Sequence, residues 1–326
     1  MLQRRTFLAA LAAPALAAPA LPAFAQAFPQ AGKTLRVLVG YAAGGPTDTQ
    51  ARVLSQELGK ALGLTVIVEN KPGATGMIAA QELIRSAPDG YTLLYTIDGP
   101  MTQNPHTLKT PYDVFRDFTP LSRATIGGVV LTLHPSVPAR NAKELVAYAK
   151  ANPGKLSFAS FGTGSVSHIY GEVLAQNQGL DLVHVPYKGS ADALKDLLAG
   201  RVQIMFDSPA TSAAFVKEGK IHVIGSAGDT RRKLMPELPT LLEQGLPGFE
   251  LRSWNGFFGP AKMPPAVADK LRQAMAEARR SAAFTDALKL MYSDTVDETP
   301  EQFEKALRTD YDRWGAYIQK LGIKIE

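Results

Sequence analysis

The 326-residue chain contains no cysteine. That absence excludes a disulfide framework, a thiol nucleophile and a lipid-modified cysteine at an N-terminal cleavage site. The five histidines are His106, His134, His168, His184 and His222, and no H-E-x-x-H run occurs, so no metal site is expected. Neither G-x-x-x-x-G-K-[ST] nor G-x-G-x-x-G is present, the nearest run, Gly162 to Ser167, lacking the last glycine. A nucleotide cofactor is therefore not expected. Lys and Arg are scattered, with Arg231-Arg232-Lys233 as one short cluster and no aromatic residues interleaved. That pattern fits a solvated loop and gives no sign of a nucleic-acid partner.

Residues 1–25 read as an export signal: Arg4 and Arg5 precede an Ala/Leu-rich stretch that ends in Ala23-Phe24-Ala25. Pro14, Pro19 and Pro22 interrupt the apolar run, which argues against a retained membrane span. Gln3-Arg4-Arg5-Thr6-Phe7-Leu8 resembles a twin-arginine signal, and both the twin-arginine (Tat) and the general secretory (Sec) routes stay open. Cleavage removes two arginines and no acid, so the formal charge falls from +5 to +3 (5 − 2). The expected location is the periplasm.

Beyond the signal, Leu35–Val39, Leu64–Val68 and Tyr91–Tyr95 read as strands, separated by helical patterns over Thr49–Leu62 and Thr75–Ala87. This alternation predicts a mostly parallel sheet flanked by helices. A second run begins with a helix over Lys143–Ala151 capped by Asn141 and continues through strands at 156–158, 182–185, 202–206 and 221–225. Two α/β lobes follow, with extended segments at 126–133 and 249–259 read as crossings between them. On that reading lobe 1 comprises 33–125 and 260–326, and lobe 2 comprises 134–248. Helices are expected at 266–281, 283–291 and 300–321, the last with an apolar stripe of Phe303, Leu307, Tyr311, Trp314 and Ile318.

Glycine-rich turns that follow a strand and open a helix occur twice, at Gly44-Gly45-Pro46-Thr47-Asp48 and at Phe161-Gly162-Thr163-Gly164-Ser165. The first N–H groups of a helix have no intrahelical partner and carry partial positive charge, so each turn suits a carboxylate without any basic side chain. In the first turn Gly44 and Gly45 are read as exposing N–H groups while Tyr41 lines the pocket. In the second, Ser160, Thr163, Ser165 and Ser167 add hydroxyls around Gly162 and Gly164. Asp207 ends a strand, where open α/β sheets place ligands; it can orient water, accept from a ligand amine, or cap Ser208-Pro209-Ala210. Lys188 is the one strong cation of that region, or a solvated lysine. A hydrolase reading rests on Ser165 and His168, three apart on one helix face, with Asp207 as third member. No G-x-S-x-G elbow supports it.

Gly44-Gly45-Pro46-Thr47-Asp48 followed by Ala51-Arg52, then Val68-Glu69-Asn70-Lys71-Pro72-Gly73-Ala74, Pro88-Asp89-Gly90-Tyr91, Val185-Pro186-Tyr187-Lys188-Gly189 and Gly200-Arg201-Val202-Gln203 occur in that order. Together these resemble the Bug (TctC-like) extracytoplasmic receptors of tripartite tricarboxylate transporters, over essentially the whole mature chain. The resemblance implies a type II periplasmic-binding-protein fold, a ligand cleft between lobes, and delivery of a small organic carboxylate to membrane permease subunits. It implies ligand contacts at Tyr41, Gly44, Gly45 and Asp48 in lobe 1, with waters bridging, and at Ser160, Thr163, Gly164, Ser165 and Asp207 in lobe 2. Asp98 to Asn104 borders the cleft in the family, so Met101 and Thr102 are expected to shape the pocket. Gly40 and Ala43 stand where the family often has proline.

The expected protein is a receptor without enzymatic activity, cofactor or metal, and it needs no second copy, so a monomer is expected. A periplasmic serine hydrolase and a ligand-presenting partner of a membrane kinase are the alternatives. Backbone amides and hydroxyls suit C4-dicarboxylates, tricarboxylates, aromatic acids, amino acids and amides alike.

Overall fold

The computed structural model describes residues 28–322; the expected export signal lies outside them. The chain runs β1 (Thr34–Val39), α1 (Pro46–Leu62), β2 (Thr65–Asn70), a 3₁₀ turn (Ala74–Gly76), α2 (Met77–Ile84) and β3 (Thr92–Ile97). Three one-turn helices follow, α3 (Gly99–Thr102), α4 (Asn104–Thr107) and α5 (Val114–Asp117), then β4 (Phe118–Ile126). The second series is β5 (Val130–Leu133), α6 (Ala142–Ala151), β6 (Leu156–Ser160), α7 (Val166–Gln178), β7 (Leu182–Pro186), α8 (Ser190–Leu198), β8 (Ile204–Asp207), α9 (Pro209–Lys217) and β9 (His222–Ser226). The chain then returns through β10 (Trp254–Pro260), α10 (Pro265–Arg280), α11 (Ala282–Leu290), β11 (Asp294–Thr295) and α12 (Pro300–Leu321).

Two sheets result, ordered β11-β4-β10-β3-β1-β2 and β7-β6-β8-β5-β9. The fold is the expected two-lobed α/β arrangement. Parallel pairing covers β2-β1-β3 in one sheet and β7-β6-β8 in the other. Strands arriving from the opposite lobe, β10 and β5, are added antiparallel, so both sheets are mixed. The segments read as crossings are largely these strands. β4 ends at Ile126 in one sheet and β5 begins at Val130 in the other, which leaves only 127–129 as the link. On the return, Leu251 still packs in the core of the second lobe, and Trp254 already begins β10 in the first sheet.

Local chemistry explains the element ends. Pro46 sits in the first turn of α1, and Gly63, left-handed at φ +65°, donates back to Gly59 O to stop it. Ala51, Leu54, Leu58 and Leu62 form the buried stripe of α1, in one cluster with Leu271 and Met275 of α10. Asn141 caps α6 by accepting from Glu144 N, and Thr299 and Gln302 make a reciprocal capping box at the start of α12. The helix expected from Thr75 begins only at Met77, because Ala74 (φ +46°) and Thr75 (φ +50°) are left-handed; it ends at Ile84.

The last helix does not belong to one lobe. Phe303 and Leu307 pack with Trp254, Phe258 and Met101 of lobe 1. About two and three turns beyond Leu307, Trp314 and Ile318 join the core of lobe 2, where Trp314 lies 5.7 Å from the Tyr170 ring. Its apolar stripe therefore straps both lobes together, which revises the assignment of 260–326 to lobe 1 alone. Trp254 Nε1 donates to Asp310 Oδ2 at 3.0 Å, and Arg123 pairs with Glu298 at 2.7 Å, fastening the strap at the junction.

Candidate ligand cleft between the lobes

The two glycine turns stand at the starts of the long helices α1 and α7. In the first, Gly44 has φ +80°, yet its N–H donates to Asp48 Oδ2 at 2.8 Å. Gly44 thus does not offer the free donor expected of it, and Gly45 N, also expected to be free, donates to Ala42 O at 3.4 Å within the turn. Among the described residues, the first turn leaves the N–H groups of Thr47 and Asp48 without a protein acceptor.

Asp48 is the hub of this turn. Besides Gly44 it accepts Arg52 Nε at 2.9 Å and Asn70 Nδ2 at 2.8 Å, and Asn70 also donates to Tyr41 O. Burial opposes its charge, but Arg52, Gly44 N and Asn70 outweigh burial and hold the carboxyl below its ordinary pKa. A carboxylate so fully engaged shapes the loop.

Tyr41 reaches across to Thr75 O at 3.3 Å, and Asn104 Nδ2 reaches the same carbonyl at 3.2 Å. The Gly73–Gly76 loop between them carries four consecutive positive φ angles, two of them on Ala74 and Thr75. A Cβ at Gly162 would stand 3.4 Å from Thr75 Cγ2, so the lobe 2 turn closes directly onto this loop. Backbone strain of this kind, at order 1–3 kcal/mol per residue, persists where surrounding structure over-determines it. Sequence reasoning missed Thr75 and Asn104; the run Pro72-Gly73-Ala74-Thr75-Gly76 was the available signal, its first three residues read as part of the resemblance and Thr75 as the start of a helix.

In the second turn Ser165 caps α7, accepting from His168 N at 3.4 Å and donating to Gly162 O at 2.6 Å. Gly164 N donates to His168 Nδ1 at 3.1 Å, and Phe161 N to Ser167 Oγ at 2.9 Å. Ser160 Oγ bonds His184 Nε2 at 2.7 Å, and the two imidazoles stack with centroids 4.0 Å apart. Among the described residues, Thr163, Val166 and Ser167 keep N–H groups without a protein acceptor. Those donors, at the positive end of a 13-residue helix, suit an anion.

The hydrolase geometry is not assembled. Ser165 Oγ serves backbone groups and Ser167, and His168 Nδ1 is taken by Gly164. Asp207 accepts from Ser190 and Thr211 at 2.6 Å each. Ser208, not Asp207, caps α9. Asp207 is fully buried, and burial pushes its carboxyl up to about 6 against those hydroxyl bonds. Lys188 is exposed.

Met101 and Thr102 do not face the cleft. Met101 packs in the core with Leu38, Leu94 and Phe258, and Thr102 Oγ1 donates to Asp98 O at 3.0 Å. The apolar side chain follows burial inward, and the hydroxyl is spent on its own helical turn. From the same segment Asp98, Gln103 and Asn104 carry the open polar atoms instead.

The profile described as "Tripartite tricarboxylate transporter family receptor" matches residues 50–323. The chain belongs to this receptor family. Among family relatives, the "UPF0065 protein in gbd 5'region" of Cupriavidus necator is 36% identical, the match covering 99% of each chain. The solved structure of the periplasmic binding protein BugD is similar at TM-score 0.83 and 32% identity, over 90% of this chain and 99% of that one. MatC from Rhodopseudomonas palustris, solved with bound malate, is similar at TM-score 0.81 and 30% identity, over 87% of this chain and 98% of that one. Receptors of this family are periplasmic solute-binding proteins, and this chain shares their fold across both lobes.

Proposed function

We propose that this receptor captures a small organic carboxylate between its lobes and passes it to the permease subunits of a tripartite transporter, with no covalent chemistry. The observation that carries the proposal is the start of α7. Unengaged N–H groups of Thr163, Val166 and Ser167 cluster there beside the Ser165 cap, and the turn abuts the strained Thr75 loop of lobe 1. A carboxylate seated there takes charge-assisted hydrogen bonds that strengthen as closure excludes water. Malate in MatC is a carboxylate of the kind this site would hold. Tyr41, Gly45, Ser160, Thr163, Gly164 and Ser165 are the residues proposed to line it. Asp48, Asp207 and Gly44 are proposed to hold the shape of the site.

Export to the periplasm by a Tat or Sec signal in residues 1–25, and action as a monomer, belong to the same reading. It is tested by native mass spectrometry of the mature protein, with identification of any small molecule released on denaturation, followed by titration calorimetry across an acid panel. A stoichiometric organic acid supports the proposal. An empty protein that binds no member of the panel refutes it.

A further inference from the structure

A cavity of about 230 Å³ lies in lobe 1 between β4, α10 and the start of α12, and no residue of either glycine turn lines it. Three arginines line it, Arg123 from β4 and Arg272 and Arg279 from α10. The two on α10 stand two turns apart on one face of the helix, with Ala276 between them in the same lining. Glu298 is the single acid among the lining residues.

Arg123 and Glu298 satisfy each other. Arg123 Nε and Nη2 donate to the two carboxylate oxygens at 2.7 and 2.5 Å, the bidentate pairing that a guanidinium edge makes with an oxyanion. Arg279 has no such partner. Its Nη1 donates to Arg123 O at 2.9 Å and to Val296 O at 2.6 Å, which fixes the guanidinium in place. Its Nε is buried without an acceptor, and among the described residues its Nη2 has none either. The edge that Arg123 uses on Glu298 is therefore unoccupied on Arg279. Arg272 donates from Nη1 to the exposed Asp269 at 3.1 Å and from Nη2 to Pro120 O at 3.2 Å, and its Nε is also buried without an acceptor.

Arg279 is 8% exposed. Burial pulls its pKa below the ordinary value, and the charges of Glu298 and Asp297 act against that pull without overcoming it. A buried cation with an idle bidentate edge is costly to keep unless an anion meets it.

We propose that this cavity is a second anion site, separate from the cleft, in which one small oxyanion of the phosphate type pairs with the Nε–Nη2 edge of Arg279 while Arg272 adds a second positive charge. The size of the cavity and the depth of Arg279 suit a single ion or a phosphomonoester group. The bound ion ties α10 to β4, beside the Arg123–Glu298 pair that fastens the strap helix. The proposal does not depend on what the cleft binds.

The test is calorimetric titration of the mature protein with inorganic phosphate, glycerol 1-phosphate and malonate, in chloride buffer of matched ionic strength. Phosphate is expected to bind once per chain and to raise the melting temperature by about 3 °C at ten times its Kd. Ala276→Glu leaves all three arginines in place and sets a carboxylate four residues after Arg272 and three before Arg279. It is expected to abolish phosphate binding and to raise the melting temperature in the absence of phosphate, because the new carboxylate takes the position of the ion. Arg279→Lys, which keeps the charge and loses the fork, is expected to weaken phosphate about tenfold. Gly162→Val, altered in the cleft, is expected to bind phosphate as the wild type does. Glycerol 1-phosphate binding as tightly as phosphate supports the site with a phosphomonoester as its natural occupant; weaker binding supports it with the free ion. Malonate binding more tightly than phosphate overturns the phosphate class. Phosphate that still binds Ala276→Glu, or that is lost in Gly162→Val, sits elsewhere and overturns the proposal, as does a wild-type protein that binds none.

Discussion

His168 and His184 stack face to face, 4.0 Å between centroids, and each holds one end of the lobe 2 glycine turn. His168 Nδ1 accepts from Gly164 N, and His184 Nε2 meets Ser160 Oγ. An acceptor at Nδ1 is an unprotonated one, so the turn depends on a neutral His168.

Burial lowers both histidines from 6.5 to about 4. A depressed histidine contributes stability that is complete above pH 6.5 and is lost as pH falls from 6.5 towards 4. Asp207, raised by burial from 3.8 to about 6, runs the other way: its contribution is full below 3.8 and is lost as pH rises to about 6. Across this range the histidine pair lowers the melting temperature on acidification, while Asp207 opposes it, as do Asp98, Glu172 and Asp310, whose carboxyls burial also raises. His184→Gln should flatten that decline, and Asp207→Asn should steepen it. Thermal melts at half-unit pH steps check both signs; a decline identical in wild type and His184→Gln would contradict the assignment.

Gly162→Val is expected to hold the lobes apart. Gly162 has φ +134°, strained for any side chain, and a Cβ there stands 3.4 Å from Thr75 Cγ2 and 3.5 Å from Tyr187 O. The branched methyls must then push into the Thr75 loop. Binding should weaken about 100-fold, some 2.7 kcal/mol, while the circular dichroism spectrum stays unchanged. Small-angle scattering with and without ligand reads the closure directly; normal compaction in the variant would refute the contact.

Asp48→Ala removes the acceptor shared by Gly44 N, Arg52 and Asn70. Breaking this cluster is expected to destabilise the protein by about 2–4 kcal/mol. Affinity should fall as well, although Asp48 is proposed to shape the loop and to make no ligand contact. Urea unfolding and calorimetry separate the two effects, and an unfolding midpoint within error of wild type would argue that Asp48 is idle.

Trp314→Ala empties the point where α12 enters the core of lobe 2. Loss of a buried tryptophan costs about 3–5 kcal/mol. The variant should also favour the open form, giving a larger radius of gyration without ligand. A cost below about 1 kcal/mol would show that the strap does not bind lobe 2.

The sequence made elements with one-sided chemistry legible. Asn141 is a cap whose hydrogen bond forms as read, and the 300–321 helix keeps its bounds. β4 was not read as a strand, because Pro120, Ser122 and Arg123 break its apolar alternation; its partners lie more than a hundred residues away in β10 and in β11. The two glycine turns were visible because glycine marks backbone that other residues avoid. The Thr75 loop was not, since Gly73 and Gly76 mark a turn but nothing in the sequence marks the positive φ of Thr75 between them. Met101 and Thr102 were misplaced for a related reason. Which side of a one-turn helix faces the core depends on neighbours such as Phe258 and Trp254, far along the chain.

Residues 127–129, the return ahead of Trp254, and α12 are three ties between two rigid bodies. In the closure proposed above, three such ties act as a hinge. Near the pin a group sweeps almost no arc; far from it the same rotation becomes a long stroke. Asp98, hydrogen-bonded to Trp254 O at the pin, is thus nearly stationary while the jaws swing. Under the proposed closure, side chains beside the pin keep their neighbours, and those at the tips of the jaws exchange theirs.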